Sequence, residues 1–281
     1  MHPVAFKLGS FTIYWYGLMT VIAYAVVLVS MKYTRRYEDL DPDTALDCSI
    51  YAIIGGVLGA RLLYTMINFS DYIQRPLEII KIREGGLSWY GALMGGALAI
   101  FILSRVRKKS FPRLIDFTAV HGVIALAVGR IGCFLNGCCY GRVTQVPWGV
   151  EFTGAQLEGI RHPTQLYETI LLVAAFIILL RWWPHKKFDG EMTLGAFFFN
   201  GLSRFIMEFF RYNTPDQYPG GGMLSLAQYF AILLILIFPV IIIANRRKAS
   251  AGENHTENGI TKDDCTGEAG NISKEQMDVT D

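Results

Sequence analysis

The chain reads as an all-α polytopic membrane protein with seven transmembrane helices, its N-terminus outside and its C-terminus cytoplasmic. Three observations carry that reading. Apolar residues make up 52% of the 281 positions, and only 18% are charged. The apolar residues are gathered into seven blocks of roughly 17–25 residues, the length that crosses a bilayer as a helix. The basic residues between blocks alternate between rich and poor loops, as the positive-inside rule requires.

The blocks are Tyr14–Met31, Leu46–Ile67, Leu87–Ser104, Leu114–Leu135, Leu166–Trp183, Met192–Phe210 and Leu224–Ala244. A soluble core of this size would show amphipathic stripes instead. The first block has only Lys7 as a basic flank and no small-x-small cleavage site after it. Lys32, Arg35 and Arg36 follow, so it reads as a retained span and not a leader. The second, fourth and sixth blocks are interrupted by charge or glycine. One set of loops carries fourteen Lys and Arg, among them Arg105, Arg107, Lys108, Lys109 and Arg113. The other set carries seven. The membrane domain then spans residues 1–248. Residues 249–281, rich in Asp, Glu, Gly, Asn and Thr, read as a disordered acidic cytoplasmic tail in which Cys265 is incidental. No solenoid repeat and no nucleotide-binding glycine loop is found, and no nucleic-acid partner is expected.

Arg61, Arg130 and Arg204 belong to no loop. They fall in the second, fourth and sixth blocks, each two-thirds to three-quarters of the way along. The topology places all three at one depth, in the outer part of the bilayer. A charged side chain in hydrocarbon costs about 2.5–3.5 kcal/mol on insertion scales, so it faces a partner or a polar cavity. Snorkelling accounts for one such arginine. Three at one depth point to a shared anionic site, and guanidinium forks suit phosphate.

Other polar groups join that layer. Arg204, Glu208 and Arg211 have the i, i+4, i+7 spacing of one helix face. Tyr16, Tyr90 and Glu168 lie at the outer starts of the first, third and fifth blocks, where tyrosines also serve as belt anchors. His162 stands in "RHPTQLYE" just before the fifth. Cys133, Cys138 and Cys139 lie near the outer surface, where disulfides persist. Adjacent Cys138 and Cys139 cannot easily bridge each other, whereas Cys133 to Cys138 can. A zinc site wants a second ligand pair, and "GCFLNGCC" has no recognised spacing. The cysteines therefore read as packing or a structural bridge, and no cofactor or metal is expected.

"GRIGCFLNGCCYGR" resembles the signature segment of the bacterial prolipoprotein diacylglyceryl transferases. "YWYGLM", "GGVLGARLLY", "GGLSWYGALMGG", "RHPTQLYE" and "SRFIMEFFR" resemble further segments of that family, in order, over about residues 11–211. The resemblance implies transfer of the diacylglyceryl group of phosphatidylglycerol to the lipobox cysteine of a prolipoprotein signal peptide, releasing glycerol phosphate. It also implies a multi-pass protein of the bacterial inner membrane, with its site towards the outer leaflet and membrane lipids around it. By resemblance Arg130, Arg204 and Tyr16 are functional residues, and Gly141 matches a functional glycine. Tyr90 joins the catalytic candidates. Arg61, Asn136, His162, Glu208, Arg211 and Gly141 join Arg130 and Arg204 as substrate-binding candidates. The chain departs from many members at Tyr90, where they carry His, and at Cys133 and Cys138, where they carry Asn and Glu. A base role for that histidine does not transfer. Two other classes stay open on the residues alone. One is a small transporter or scramblase of anionic lipids or solutes. The other is a thiol–disulfide enzyme.

Overall fold

The computed structural model describes residues 4–9, 11–73, 76–81, 85–152, 159–212 and 224–263. A short antiparallel hairpin, β1 (Val4–Leu8) with β2 (Phe11–Tyr14), leads directly into α1 (Trp15–Thr34). There follow α2 (Pro42–Ile67), the short α3 (Phe69–Ile73), α4 (Trp89–Val106), α5 (Phe111–Asn136), α6 (Thr164–Trp182), α7 (Glu191–Glu208) and α8 (Leu226–Asp263). Each expected block lies on one of the seven long helices. Six of them are long and apolar enough to cross a membrane. The other is α7, whose 18 residues include Glu191, Arg204 and Glu208; those charges lower its hydropathy.

The chain forms two compact units, Met1–Pro239 and Val240–Asp281. The second holds the later part of α8, which runs as helix to Asp263. Residues 264–281, the rest of the expected tail, lie outside the described residues.

Helix α5 is the axis of the first unit and packs against α1, α6 and α7. Its Leu114, Phe117, Val120, Val123 and Ala127 are buried at steps of three and four, a single stripe turned to the core. The helix starts with Pro in its first turn and ends at Gly137 in the left-handed conformation. There the Cys138 N–H donates to the Cys133 carbonyl, closing the terminus. Near its start, the fully buried Asp116 accepts from the Gly190 and Thr193 N–H groups (both 2.8 Å) and from the Thr193 hydroxyl. These bonds cap the start of α7. Lys186 bridges Asp116 to Glu38, whose carboxylate also accepts from the Trp183 indole. One ionic knot thus ties the ends of α1, α6 and α7 to α5, which fixes what the far ends of these helices can reach.

Helices α2 and α4 pack chiefly on each other. Gly55 and Gly59 on α2 face Gly91 and Gly95 on α4, the small-xxx-small pattern that lets backbones approach closely. A Cβ on Gly95 would stand 2.2 Å from the Gly55 carbonyl oxygen, and one on Gly59 would stand 2.4 Å from that of Gly91. Gly95→Ala should therefore lower the melting temperature of the detergent-solubilised protein, by an overpacking cost of about 1–3 kcal/mol. Gly96→Ala, whose added carbon meets only the Ala52 oxygen at 3.6 Å, should not. Equal melting temperatures for the two variants would refute the close crossing.

Candidate active site

The site is built at the ends of α5 and α7 and the start of α6. Arg130, on the penultimate turn of α5, pairs with Glu168 of α6 (Nη2 to Oε1, 2.9 Å). Arg204 of α7 reaches Glu208 one turn on (Nη2 to Oε2, 3.5 Å), and the Ser225 hydroxyl donates to the other oxygen of Glu208. Arg204 also feels the charges of Arg211, Glu168 and Arg130, so the five groups form one cluster. The carboxylates are sunk, with side chains 13% and 4% exposed, while the side chains of Arg130 and Arg204 are 23% and 31% exposed. The acids orient the arginines and leave donors open. Three arginines against two carboxylates leave one net positive charge, the complement of a phosphodiester.

Arg211 arrives differently from its helical spacing. α7 stops at Glu208, the chain turns at Phe209 and Phe210, and Arg211 lies in an extended bridge opposite Gly141. The Arg142 N–H donates to the Phe210 carbonyl at 2.8 Å, and the Gly141 N–H to the His162 carbonyl at 2.9 Å. A Cβ on Gly141 would stand 2.5 Å from the Phe210 oxygen and 2.7 Å from the His162 Cβ. Gly141 is therefore where three strands of backbone meet too closely for any side chain. Arg161 clamps the same seam. It is buried, donates to the Gly141 carbonyl, and lies between the Tyr140 and Tyr212 rings, each centroid 5.2 Å away.

His162 acts as a post. The Trp148 indole donates to the Tyr167 hydroxyl (2.6 Å), whose oxygen lies 3.2 Å from His162 Nδ1. Burial, with Arg142 nearby, holds the imidazole below its ordinary pKa, which suits Nδ1 as the acceptor.

The loop after α5 gathers the three cysteines. All four described cysteines outside the tail are free thiols, which fits packing and not a bridge as their part here. The Sγ atoms of Cys133, Cys138 and Cys139 lie within 4.8 Å of one another. The αL turn at Gly137 folds the loop back over the helix end. Buried Gln165 then donates to the Cys138 carbonyl (2.6 Å), and Thr164 to that of Cys139 (3.0 Å). Cys139 has a φ of 64°, a strained value for a residue with a side chain. Hydrogen bonds from Cys133 and Cys138, aided by Arg211 and Arg130, push its thiol down towards thiolate. Asn136 reaches the Cys138 sulfur. Tyr16, on the first turn of α1, lies within electrostatic reach of all three sulfurs and of Arg130.

Two candidates sit elsewhere. Arg61 is 6% exposed. Its Nε and Nη2 donate to the Ile79 and Glu78 carbonyls, and its Nη1 to those of Gly85 and Gly86. The fork that was expected to share the anionic site instead holds the segment between α3 and α4, whose backbone supplies four carbonyls to it. Tyr90 is 66% exposed on the first turn of α4, and no hydrogen bond or ion pair among the described residues joins it to the cluster. Sequence reasoning missed Arg161, counted only as a loop charge, and the carbonyl clamps Thr164 and Gln165. The one local signal was their place in "RHPTQ", beside His162.

A family model described as prolipoprotein diacylglyceryl transferase matches residues 3–244. Among curated relatives, a phosphatidylglycerol–prolipoprotein diacylglyceryl transferase of Geobacter sulfurreducens is 37% identical over 254 residues, covering 88% of this chain and 96% of the relative. Proteins of the same name from Coxiella burnetii (36% over 245 residues, 84% and 92% covered) and Bordetella avium (35% over 264 residues, 88% and 96% covered) are similar.

Gly141→Ala should push the Phe210–Arg211 backbone away from the cluster and cut activity at least tenfold with the helices intact, read as the family reaction against circular dichroism. Wild-type activity would show that the seam does not position Arg211. Arg61→Gln, which loses donors to a loop and not to a substrate, should lower the melting temperature while changing KM for the lipid less than twofold. A large KM effect with unchanged melting would return Arg61 to the lipid site.

Proposed function

The chain belongs to the prolipoprotein diacylglyceryl transferase family, and we infer that it transfers the diacylglyceryl group of phosphatidylglycerol to the thiol of a prolipoprotein, releasing glycerol phosphate. The single observation that carries this reading is the half-open cluster of Arg130, Arg204 and Arg211, held by two sunken carboxylates. The thiol sulfur attacks the glyceryl carbon bonded to phosphate, the C–O bond breaks, and its electron pair goes to the phosphate oxygen. The ester-linked acyl chains are untouched. As the bond stretches, the phosphate gains negative charge, and preorganised guanidinia aimed at it stabilise that charge more than they stabilise the bound lipid.

The proposal extends to the surroundings. The attacking thiol belongs to the lipobox cysteine of a signal peptide, and the protein is a multi-pass protein of the bacterial inner membrane. Its site faces the outer leaflet, which the excess of basic residues in the opposite loops supports. The lipid enters from the side, between helices, and the signal helix reaches the same leaflet.

Purified protein incubated with phosphatidylglycerol and a lipobox peptide should yield the thioether, seen as a mass shift of the peptide and as release of glycerol phosphate. Absence of both in folded protein would refute the assignment. Arg130→Lys keeps the charge but loses the planar fork. One charge-assisted hydrogen bond lost in the transition state is worth about 1.5–3 kcal/mol, roughly a ten- to hundredfold loss of rate at unchanged abundance. Near-wild-type transfer at limiting lipid would leave Arg204 as the principal phosphate ligand.

A further inference from the structure

The inferred reaction must dispose of a thiol proton, and the cluster's carboxylates, Glu168 and Glu208, are paired with arginines. Among the described residues Tyr90 stands exposed on α4 without a hydrogen bond or ion pair to the cluster, and His162 Nδ1 lies against the Tyr167 hydroxyl. An unassisted thiol with a pKa of about 8.5 is only a few per cent thiolate at neutral pH. Beside Arg130, however, stand three thiols that the mechanism does not use.

We propose that Cys133, Cys138 and Cys139 bind a Zn2+ ion whose fourth coordination position takes the prolipoprotein thiol and holds it as thiolate next to the arginine cluster. The role, though not the binding, rests on the transfer reaction inferred above. The three sulfurs lie within 4.8 Å of one another and make no disulfide. Zn–S bonds of about 2.3 Å in a tetrahedron place sulfurs about 3.8 Å apart, so side-chain rotation closes the site. Thiolates select Zn2+ over the hard cations that carboxylates and carbonyls favour.

The arrangement is built. The αL turn at Gly137 brings Cys138 and Cys139 back over Cys133, and Gln165 and Thr164 hold the carbonyls of the two loop cysteines. Such supports orient ligands before a metal arrives. Three thiolates and one Zn2+ leave one negative charge, within electrostatic reach of Arg130 and Arg211. Three protein ligands with one position open is the pattern of a reactive zinc site, as against the four ligands of a structural one.

A thiol that coordinates Zn2+ loses its proton outright. That proton passes to solvent, the sulfur then attacks the glyceryl carbon, and the C–O electron pair leaves with glycerol phosphate. No oxidant or reductant is consumed. Sequence spacing could not find this site, because two ligands are neighbours and the third lies a helical turn and a loop away.

The test uses the full-length protein in detergent, stripped of metal and reduced. Co2+, a spectroscopic stand-in for Zn2+, should bind in one equivalent with sulfur-to-metal charge-transfer bands, be displaced by Zn2+, and be lost in Cys133→Ser and Cys139→Ser. Adding a lipobox peptide should shift those bands as a fourth sulfur enters, and a Cys→Ser peptide should not. Zn2+-loaded protein should transfer at a rate nearly flat from about pH 7 to 8.5. The stripped protein should transfer about tenfold more slowly at pH 7 and rise with pH as the free thiol ionises. No thiolate–metal bands, or a disulfide among the three cysteines, overturns the site. Metal bands that ignore the peptide, with transfer equal in both forms, overturn the activating role. Peptide-responsive bands without thioether in either form would leave the site standing and sink the transfer reaction itself.

Discussion

A guanidinium placed at membrane depth has to be answered by something polar, and this molecule is arranged around answering three of them. Arg61 is answered by backbone carbonyls, Arg130 by Glu168 and Arg204 by Glu208. The three answers differ in what they leave over. The carbonyls use every nitrogen of Arg61, so its charge becomes structural. The carboxylates are more deeply buried than their arginines, so Arg130 and Arg204 keep donors for a further anion. Deep burial of an acid beside a half-open base gives orientation without neutralisation, and that difference separates a fastening from a binding site.

Everything else serves that geometry. The ionic knot of Asp116, Lys186 and Glu38 fixes α6 and α7 against α5 at one end. Because helices are rigid, it thereby sets the spacing of Arg130, Glu168 and Arg204 at the other. The seam of Gly141, Arg142 and Phe210 then draws Arg211 in from beyond the end of α7. A glycine is required there by crowding from three directions and by no unusual dihedral angle, which is why the position tolerates no Cβ.

The helices were legible because each carries an apolar block of spanning length, and α7 was legible despite its charges because its block, Met192–Phe210, is still mostly apolar. The sequence set Arg130 and Arg204 in one layer by their place along the blocks, and in the fold both belong to one electrostatic cluster. Arg61 has the same place along its block, yet backbone carbonyls take its donors, since position along a block says nothing about which backbone folds over a side chain. Arg211 was placed by helical periodicity that ends three residues before it. Arg161 looked like one loop charge among several, and only the fold shows two tyrosine rings around it. The cysteines failed by spacing rules for the same reason. Their convergence depends on a left-handed glycine and on two clamps from another helix, and neither is written in the distance between them.

The central claim is that Arg130 and Arg204 together hold one phosphate at the outer end of α5 and α7. The most direct measurement is an experimental structure of the protein in bilayers containing phosphatidylglycerol. The account predicts lipid phosphate within hydrogen-bond distance of both guanidinia, with the glyceryl carbon turned towards the cysteine loop. Phosphate bound at Arg61, or at either arginine alone with the other facing away, would contradict it.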